Sequence, residues 1–197
     1  MTTLFFVRHG AHELQDRVLV GRTDVPLSAA GRAQAERVGE RLRHEQVHMV
    51  QTSPQLRTRE TADRIAGKLG LTADVVPALD EVDVGDWTGR SFQELETDPR
   101  WRQWNTMRSM TRTPNGETML EVQVRVARHI ERSRALHPDD RIVLVSHSDV
   151  IRAAVLYHIG LPVDSFWRVE ISPGSLTTLI VGDWGAKLIS LNDVMAA

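Results

Sequence analysis

Short apolar runs alternate along the chain with longer stretches in which apolar residues recur every three or four positions, a rhythm of strands and helices. Leu4–Val7 is a four-residue apolar run that stops at Arg8-His9-Gly10, the pattern of a buried strand entering a loop. Ser28 is placed to cap a helix whose stripe includes Ala35, Val38 and Leu42. A second strand is predicted over Val47–Gln51. Ser53 as cap and Pro54 as first helical residue then open a helix carrying Ala62, Ile65 and Leu69, with Gly70 as its stop. A third short strand is expected near Val75-Val76, before the loop that holds Glu81.

Ser91 to Pro114 is polar, rich in arginine and tryptophan, and poorly periodic. Met119, Val122, Val126 and Ile130 mark a long amphipathic helix. Ile142–Val145 reads as a buried strand, followed by Ser146-His147-Ser148 and a helix from about Asp149 to Ile159, ended by Gly160 and Pro162. In the tail, Trp167, Val169 and Ile171 alternate as a strand would. A turn at Pro173-Gly174, a run over Leu176–Val181, a turn at Gly182–Gly185 and a last strand ending near Leu191 follow.

Strands alternating with helices predict an α/β fold, a mostly parallel sheet covered on both faces, with antiparallel strands from the C-terminal hairpins. Such sheets bind ligands beyond the carboxyl ends of their strands. Arg8-His9, Thr52–Arg57 and Ser146–Ser148 each follow a predicted strand, so three segments converge on one place.

The length of 197 residues suits one domain with a sizeable core. Lys+Arg totals 24 against 26 for Asp+Glu, so no basic field draws in nucleic acid or an acidic membrane. The absence of cysteine excludes disulfides, thiolate metal sites and a cysteine nucleophile. The first apolar run is too short for a signal peptide or a membrane span, and a cytoplasmic location is expected.

Cleaving a phosphomonoester takes a nucleophile, cationic donors for the equatorial oxygens and a proton for the leaving alkoxide. Neutral His9 can attack if its other ring nitrogen is held by a backbone carbonyl. Arg8, Arg57 and His147 offer the positive field. Glu81, between apolar residues, is a candidate general acid, because burial beside an incoming dianion favours its protonated form. No carboxylates stand at metal-ligand spacing from these histidines, so neither a metal nor a cofactor is expected.

Arg8-His9-Gly10 after a short apolar strand resembles the signature of the histidine phosphatase superfamily, the phosphoglycerate-mutase-like group. Further blocks match in order: Gly21-Arg-Thr-Asp-Val-Pro-Leu-Ser-Ala-Ala-Gly31 with Gln34-Ala35, Ser53 to Ala62 with Arg57, Leu79-Asp-Glu81 with Gly85–Gly89, Pro114–Thr118, and Val145-Ser-His147. The resemblance implies a three-layer α/β/α sandwich. It also implies that His9 becomes phosphorylated, that Glu81 protonates the leaving group and then activates water, and that Arg8, Arg57 and His147 hold the phosphate, without a metal. Gln15, Val20, Gly21, Arg22 and Ser148 are expected to contact the substrate, a small phosphorylated metabolite, and Arg90 to sit with Arg22 at the mouth. Ala11, His12, Gln15, Ser148 and Asp149 depart from the family pattern, which leaves the substrate open. The chain's length suits the phosphatase branch; a phosphoglycerate-type mutase and a non-catalytic phospho-ligand sensor are the alternatives.

Two other motifs read as decoys. His44-Glu45-Gln46-Val47-His48 has metalloprotease spacing, but a helix ending and a strand beginning there would part the two rings. Arg100-Trp101-Arg102-Gln103-Trp104 interleaves cations with aromatics as a single-strand binder does, yet within about residues 90–116 it reads better as a cap over the site. His12, His129, His137 and His158 read as surface or core histidines. The tail hairpins leave an edge through which a homodimer could pair.

Overall fold

The computed structural model describes residues 1–196. It contains strands β1 (Thr2–Arg8), β2 (Met49–Thr52), β3 (Ala73–Val75), β4 (Arg141–Ser146), β5 (Ser175–Gly182) and β6 (Gly185–Val194). The helices are α1 (Ala29–Leu42), α2 (Leu56–Leu69), α3 (Phe92–Leu95), α4 (Pro99–Thr106), α5 (Met119–Leu136) and α6 (Ser148–His158). One sheet runs in the order β3-β2-β4-β1-β5-β6. Its first four strands are mutually parallel, and β5 and β6 are antiparallel additions.

The central strands are apolar throughout because both their faces are buried. Leu4 and Phe6 of β1, with Ile142 and Leu144 of β4, pack in the layer that contains α5 and α6. Their alternates Phe5, Val7, Val143 and Val145 pack against Val38 and Leu42 of α1 and Ala62 and Ile65 of α2. The result is the expected sandwich of helices on both sides of a mixed sheet.

Two local expectations need correction. Ser53 and Pro54 do not start α2: Gln55 stands at its N-cap, and the first free helical amide, of Leu56, donates to Asp24 Oδ1 at 2.7 Å. Ser53 is instead drawn into the site below. The alternating segment from Trp167 is not a strand but a 3₁₀ turn (Val163–Arg168) followed by irregular chain. Its carbonyls go to arginines rather than to a neighbouring strand: Val169 O accepts from Arg152 Nε at 2.7 Å, and Ile171 O from Arg8 Nη1 at 2.7 Å. Gly70 does stop α2, in the left-handed conformation at φ 69°.

Register brings the site together. Arg8 of β1 pairs with Ser146 of β4, and Thr52 of β2 with Val145, so these three strands end side by side. The loop after His9 lies directly on the first turn of α1. A Cβ on Gly31 would stand 2.0 Å from Ala11 O, and Ser28 N and Gln34 Oε1 bond the same residue's carbonyl and amide. Gly31→Ala is therefore expected to push this loop outward and to destabilise the fold by about 1–3 kcal/mol, as overpacking against backbone does. A urea titration beside a kcat/KM measurement checks this; an unchanged midpoint would mean that α1 shifts freely.

Candidate active site

His9 directly follows β1 and is buried. Its Nδ1 lies 2.8 Å from Gly10 O. A carbonyl only accepts, so Nδ1 carries the hydrogen and Nε2 keeps its lone pair. Burial, then the charges of Arg57 and Arg8, hold the ring's pKa well below the usual histidine value, which keeps Nε2 unprotonated near neutrality.

Arg57, wholly buried in the first turn of α2, donates to Gly21 O at 2.7 Å, to Thr23 O at 3.0 Å and to His147 Nδ1 at 3.2 Å. Because the guanidinium only donates, His147 Nδ1 is the acceptor, and Nε2–H donates to Ser53 Oγ at 2.8 Å. Ser53 in turn donates to Asp80 Oδ1 at 3.3 Å. The His147 ring meets His9 edge-on at 5.2 Å between centroids.

Glu81 reaches the same place from the loop after a 3₁₀ turn (Pro77–Leu79). Its Oε2 lies 3.4 Å from His147 Nδ1 and 3.7 Å from Arg57 Nη2. Burial pushes its pKa up to about 7 against the pull of Arg57, so half the molecules carry a neutral carboxyl at that pH. The loop is fixed from behind: Glu81 O accepts from Arg22 Nε at 2.9 Å and from Arg125 Nη2 at 3.1 Å.

These groups border a cavity of about 330 Å³ whose lining includes Arg8, His9, Gln15, Val20, Gly21, Arg57 and Glu81. Part of its lining is aromatic: Phe92, Trp101 and Trp104. Trp104 is buried against Trp87 and stacks with Trp101, and Phe92 completes the group. Several buried atoms on the lining have no partner within the protein: Arg8 Nε, Arg57 Nε, Arg108 Nε, Trp104 Nε1, His12 Nδ1 and Gln15 Oε1.

Not every expected residue arrives. Arg22 turns away from the cavity, held by Asp80 at 3.2 Å and Glu117 at 3.0 Å, because a cluster of carboxylates lies behind the Glu81 loop. Ser148 lies outside the lining and its hydroxyl faces Ile171 O at 3.4 Å; Arg90 pairs with Asp98 at 3.7 Å. His147 is wholly buried beside His9, Arg57 and Glu81 and is not part of the cavity lining. His12, named above both as a departure from the family pattern and as a surface or core histidine, belongs to the cavity. It lines the cavity 5.6 Å from the His9 ring, and burial, then Arg57 and Arg8, hold its pKa down to about 4. Its place three residues after His9 was the available signal. The His44–His48 motif forms no centre: α1 ends at Leu42, Glu45 pairs with Arg41 and Arg141, and His48 Nδ1 accepts from Arg141 N at 3.0 Å. Among the described residues no three histidine or carboxylate side chains gather to hold a metal, and no helix is long and apolar enough to cross a membrane.

The sequence profile of the histidine phosphatase superfamily (branch 1) matches residues 4–194. The chain belongs to that superfamily. Among its relatives, a probable phosphoglycerate mutase, GpmB, of Photorhabdus laumondii is 32% identical over 180 residues, 90% of this chain and 84% of that one. The adenosylcobalamin/alpha-ribazole phosphatase of Escherichia coli K12 is 27% identical over 192 residues, 96% of this chain and 95% of that one. Among solved structures, Bacillus stearothermophilus YhfR superimposes with a TM-score of 0.93 at 26% identity, covering 99% of this chain and 98% of that one. As a histidine phosphatase by family, the chain is an enzyme of phosphomonoester chemistry.

Proposed function

We infer that the protein hydrolyses a small phosphomonoester through a phosphohistidine on His9. The observation that carries this reading is a free Nε2 on His9, its Nδ1 held by Gly10 O, on a cavity that Arg8, Arg57 and Glu81 also line. The two arginines hold the phosphoryl oxygens. The Nε2 lone pair attacks phosphorus, the ester P–O bond breaks, and protonated Glu81 gives its proton to the departing alkoxide. Glu81, now a carboxylate, takes a proton from water as the water oxygen attacks phosphorus and the P–N bond breaks. This restores His9 and releases inorganic phosphate. His147 orients Arg57 by its hydrogen bond and the His9 ring by its edge-on contact. Helices α3 and α4 act as a cap whose aromatic side chains exclude water and contact the leaving group.

The relative named as a probable phosphoglycerate mutase supports a second reading, return of the phosphoryl group to a substrate instead of water. Release of inorganic phosphate from p-nitrophenyl phosphate in EDTA, beside interconversion of 2- and 3-phosphoglycerate, separates the two. Phosphate release without interconversion is expected; interconversion without release would replace hydrolase with mutase.

The pH dependence has a definite sign. Glu81 must be protonated to act as acid, and its pKa in the free enzyme is about 7. With an alkyl phosphate, kcat/KM is therefore expected to fall about tenfold per unit as pH rises beyond about 7, since that quantity reports the free enzyme. A flat profile to pH 9 would remove Glu81 from the acid role.

A further inference from the structure

We propose that Asp149 makes the cavity selective for phosphomonoesters whose leaving group is uncharged and hydroxylated, such as a polyol or sugar, over those whose leaving group carries a carboxylate. The proposal rests on the phosphatase reading above and names the substrate class of that same site.

The cavity lining includes two further cations, Arg108 and Arg152, and both are already engaged. Arg108 Nη1 bonds Asp149 Oδ2 at 2.8 Å, and Nη2 bonds Asn105 Oδ1 at 3.0 Å. The two faces of its guanidinium are covered by Trp104 at 3.7 Å and Phe166 at 3.5 Å. Arg152 Nη1 lies 3.3 Å from Asp149 Oδ1, its Nε donates to Val169 O, and its Nη2 faces Glu170 at 3.5 Å. Asp16 adds a second carboxylate to the lining. Of the lining arginines, Arg108 and Arg152 are ion-paired with Asp149, whereas among the described residues Arg8 has no ion pair and Arg57 only Glu81 at 3.7 Å.

A carboxylate on the leaving group would meet Asp149 and Asp16 without a cation free to receive it. To reach Arg108 it would have to break a buried ion pair, which strongly opposes binding. A neutral polyol meets complementary chemistry: the carboxylate oxygens of Asp149 and Asp16 accept its hydroxyl hydrogens, and the indoles of Trp101 and Trp104 cover its C–H bonds. The cavity of about 330 Å³ has room for a phosphorylated group of a few carbons.

Glycerol 3-phosphate and 3-phosphoglycerate form a matched pair, since the second carries a carboxylate where the first has a hydroxymethyl group. The wild-type enzyme is expected to favour glycerol 3-phosphate in kcat/KM by at least ~10-fold, the scale of one misplaced charged hydrogen bond. Asp149→Asn keeps the shape, frees Arg108, and is expected to shift the ratio towards 3-phosphoglycerate by at least ~10-fold. Taking the ratio within each enzyme cancels any loss of folded protein. With p-nitrophenyl phosphate hydrolysed as control, a wild-type preference for 3-phosphoglycerate, or a ratio unmoved by the substitution, would overturn the selectivity. A preference for phosphoethanolamine over both would instead assign Asp149 to a cationic leaving group and overturn it too. Failure to hydrolyse p-nitrophenyl phosphate at all would bring down the phosphatase reading and this proposal with it.

Discussion

His9→Ala is expected to lower phosphate release from p-nitrophenyl phosphate by at least ~10³-fold, the usual cost of removing a nucleophile. No neighbour can replace it. His147 commits both ring nitrogens, to Arg57 and to Ser53, and does not line the cavity. His12 lines the cavity, but it is the residue that makes the prediction sharp: if it were the nucleophile, His9→Ala would retain activity and His12→Ala would lose it. Wild-type enzyme mixed with a ³²P-labelled ester and quenched in alkali should carry label on histidine, and His9→Ala should carry none. Equal labelling of both would move the phosphoryl group to another side chain.

Glu81→Gln carries the second large effect, and its size depends on the leaving group. An alkyl phosphate needs a proton at the bridging oxygen as the P–O bond breaks, so a loss of about 10²–10⁴-fold is expected. Nitrophenolate departs without that proton, so the first half-reaction with p-nitrophenyl phosphate should survive. The second half-reaction still lacks a base for water. The variant should therefore release about one equivalent of nitrophenolate per site in a burst and then stall, with the phosphohistidine accumulating. The descending limb above pH 7 should vanish with it, because the group responsible is gone. A uniform small loss on both esters, without a burst, would reduce Glu81 to a structural carboxylate.

The strand-end logic that located this site was available in the chain because it rests on apolar periodicity. Leu4–Val7 and Ile142–Val145 could hardly be other than doubly buried strands, and the residues after them had to emerge at one edge of the sheet. What periodicity cannot carry is where a long polar side chain turns. Arg22 and Arg57 stand in similar polar surroundings in the sequence, yet one points at the cavity and the other at Asp80 and Glu117, a choice made by carboxylates far along the chain. Helices α3 and α4 were too short to show a stripe. The structure starts them with caps: Ser91 and Glu94 form a capping box, and Asp98 caps the next helix ahead of Pro99. The lost strand at Trp167 shows the reverse error, since alternation of Trp167, Val169 and Ile171 described burial correctly for the last two while their carbonyls were taken by Arg152 and Arg8.

The position of β1 in the sheet has a consequence for how the protein comes into being. Its neighbours are β4 and β5, which begin at Arg141 and Ser175, so neither side of this strand can be paired until most of the chain exists. At ordinary ribosomal speeds Leu4–Val7 waits on the order of ten seconds outside the exit tunnel, an apolar segment without a partner. The nucleophile waits with it, because Ser146 O receives the His9 amide and Gly174 N bonds the Arg8 and His9 carbonyls. The site is thus assembled only after Ser146, Gly174 and β5 have emerged, and until then the apolar residues next to His9 stand exposed.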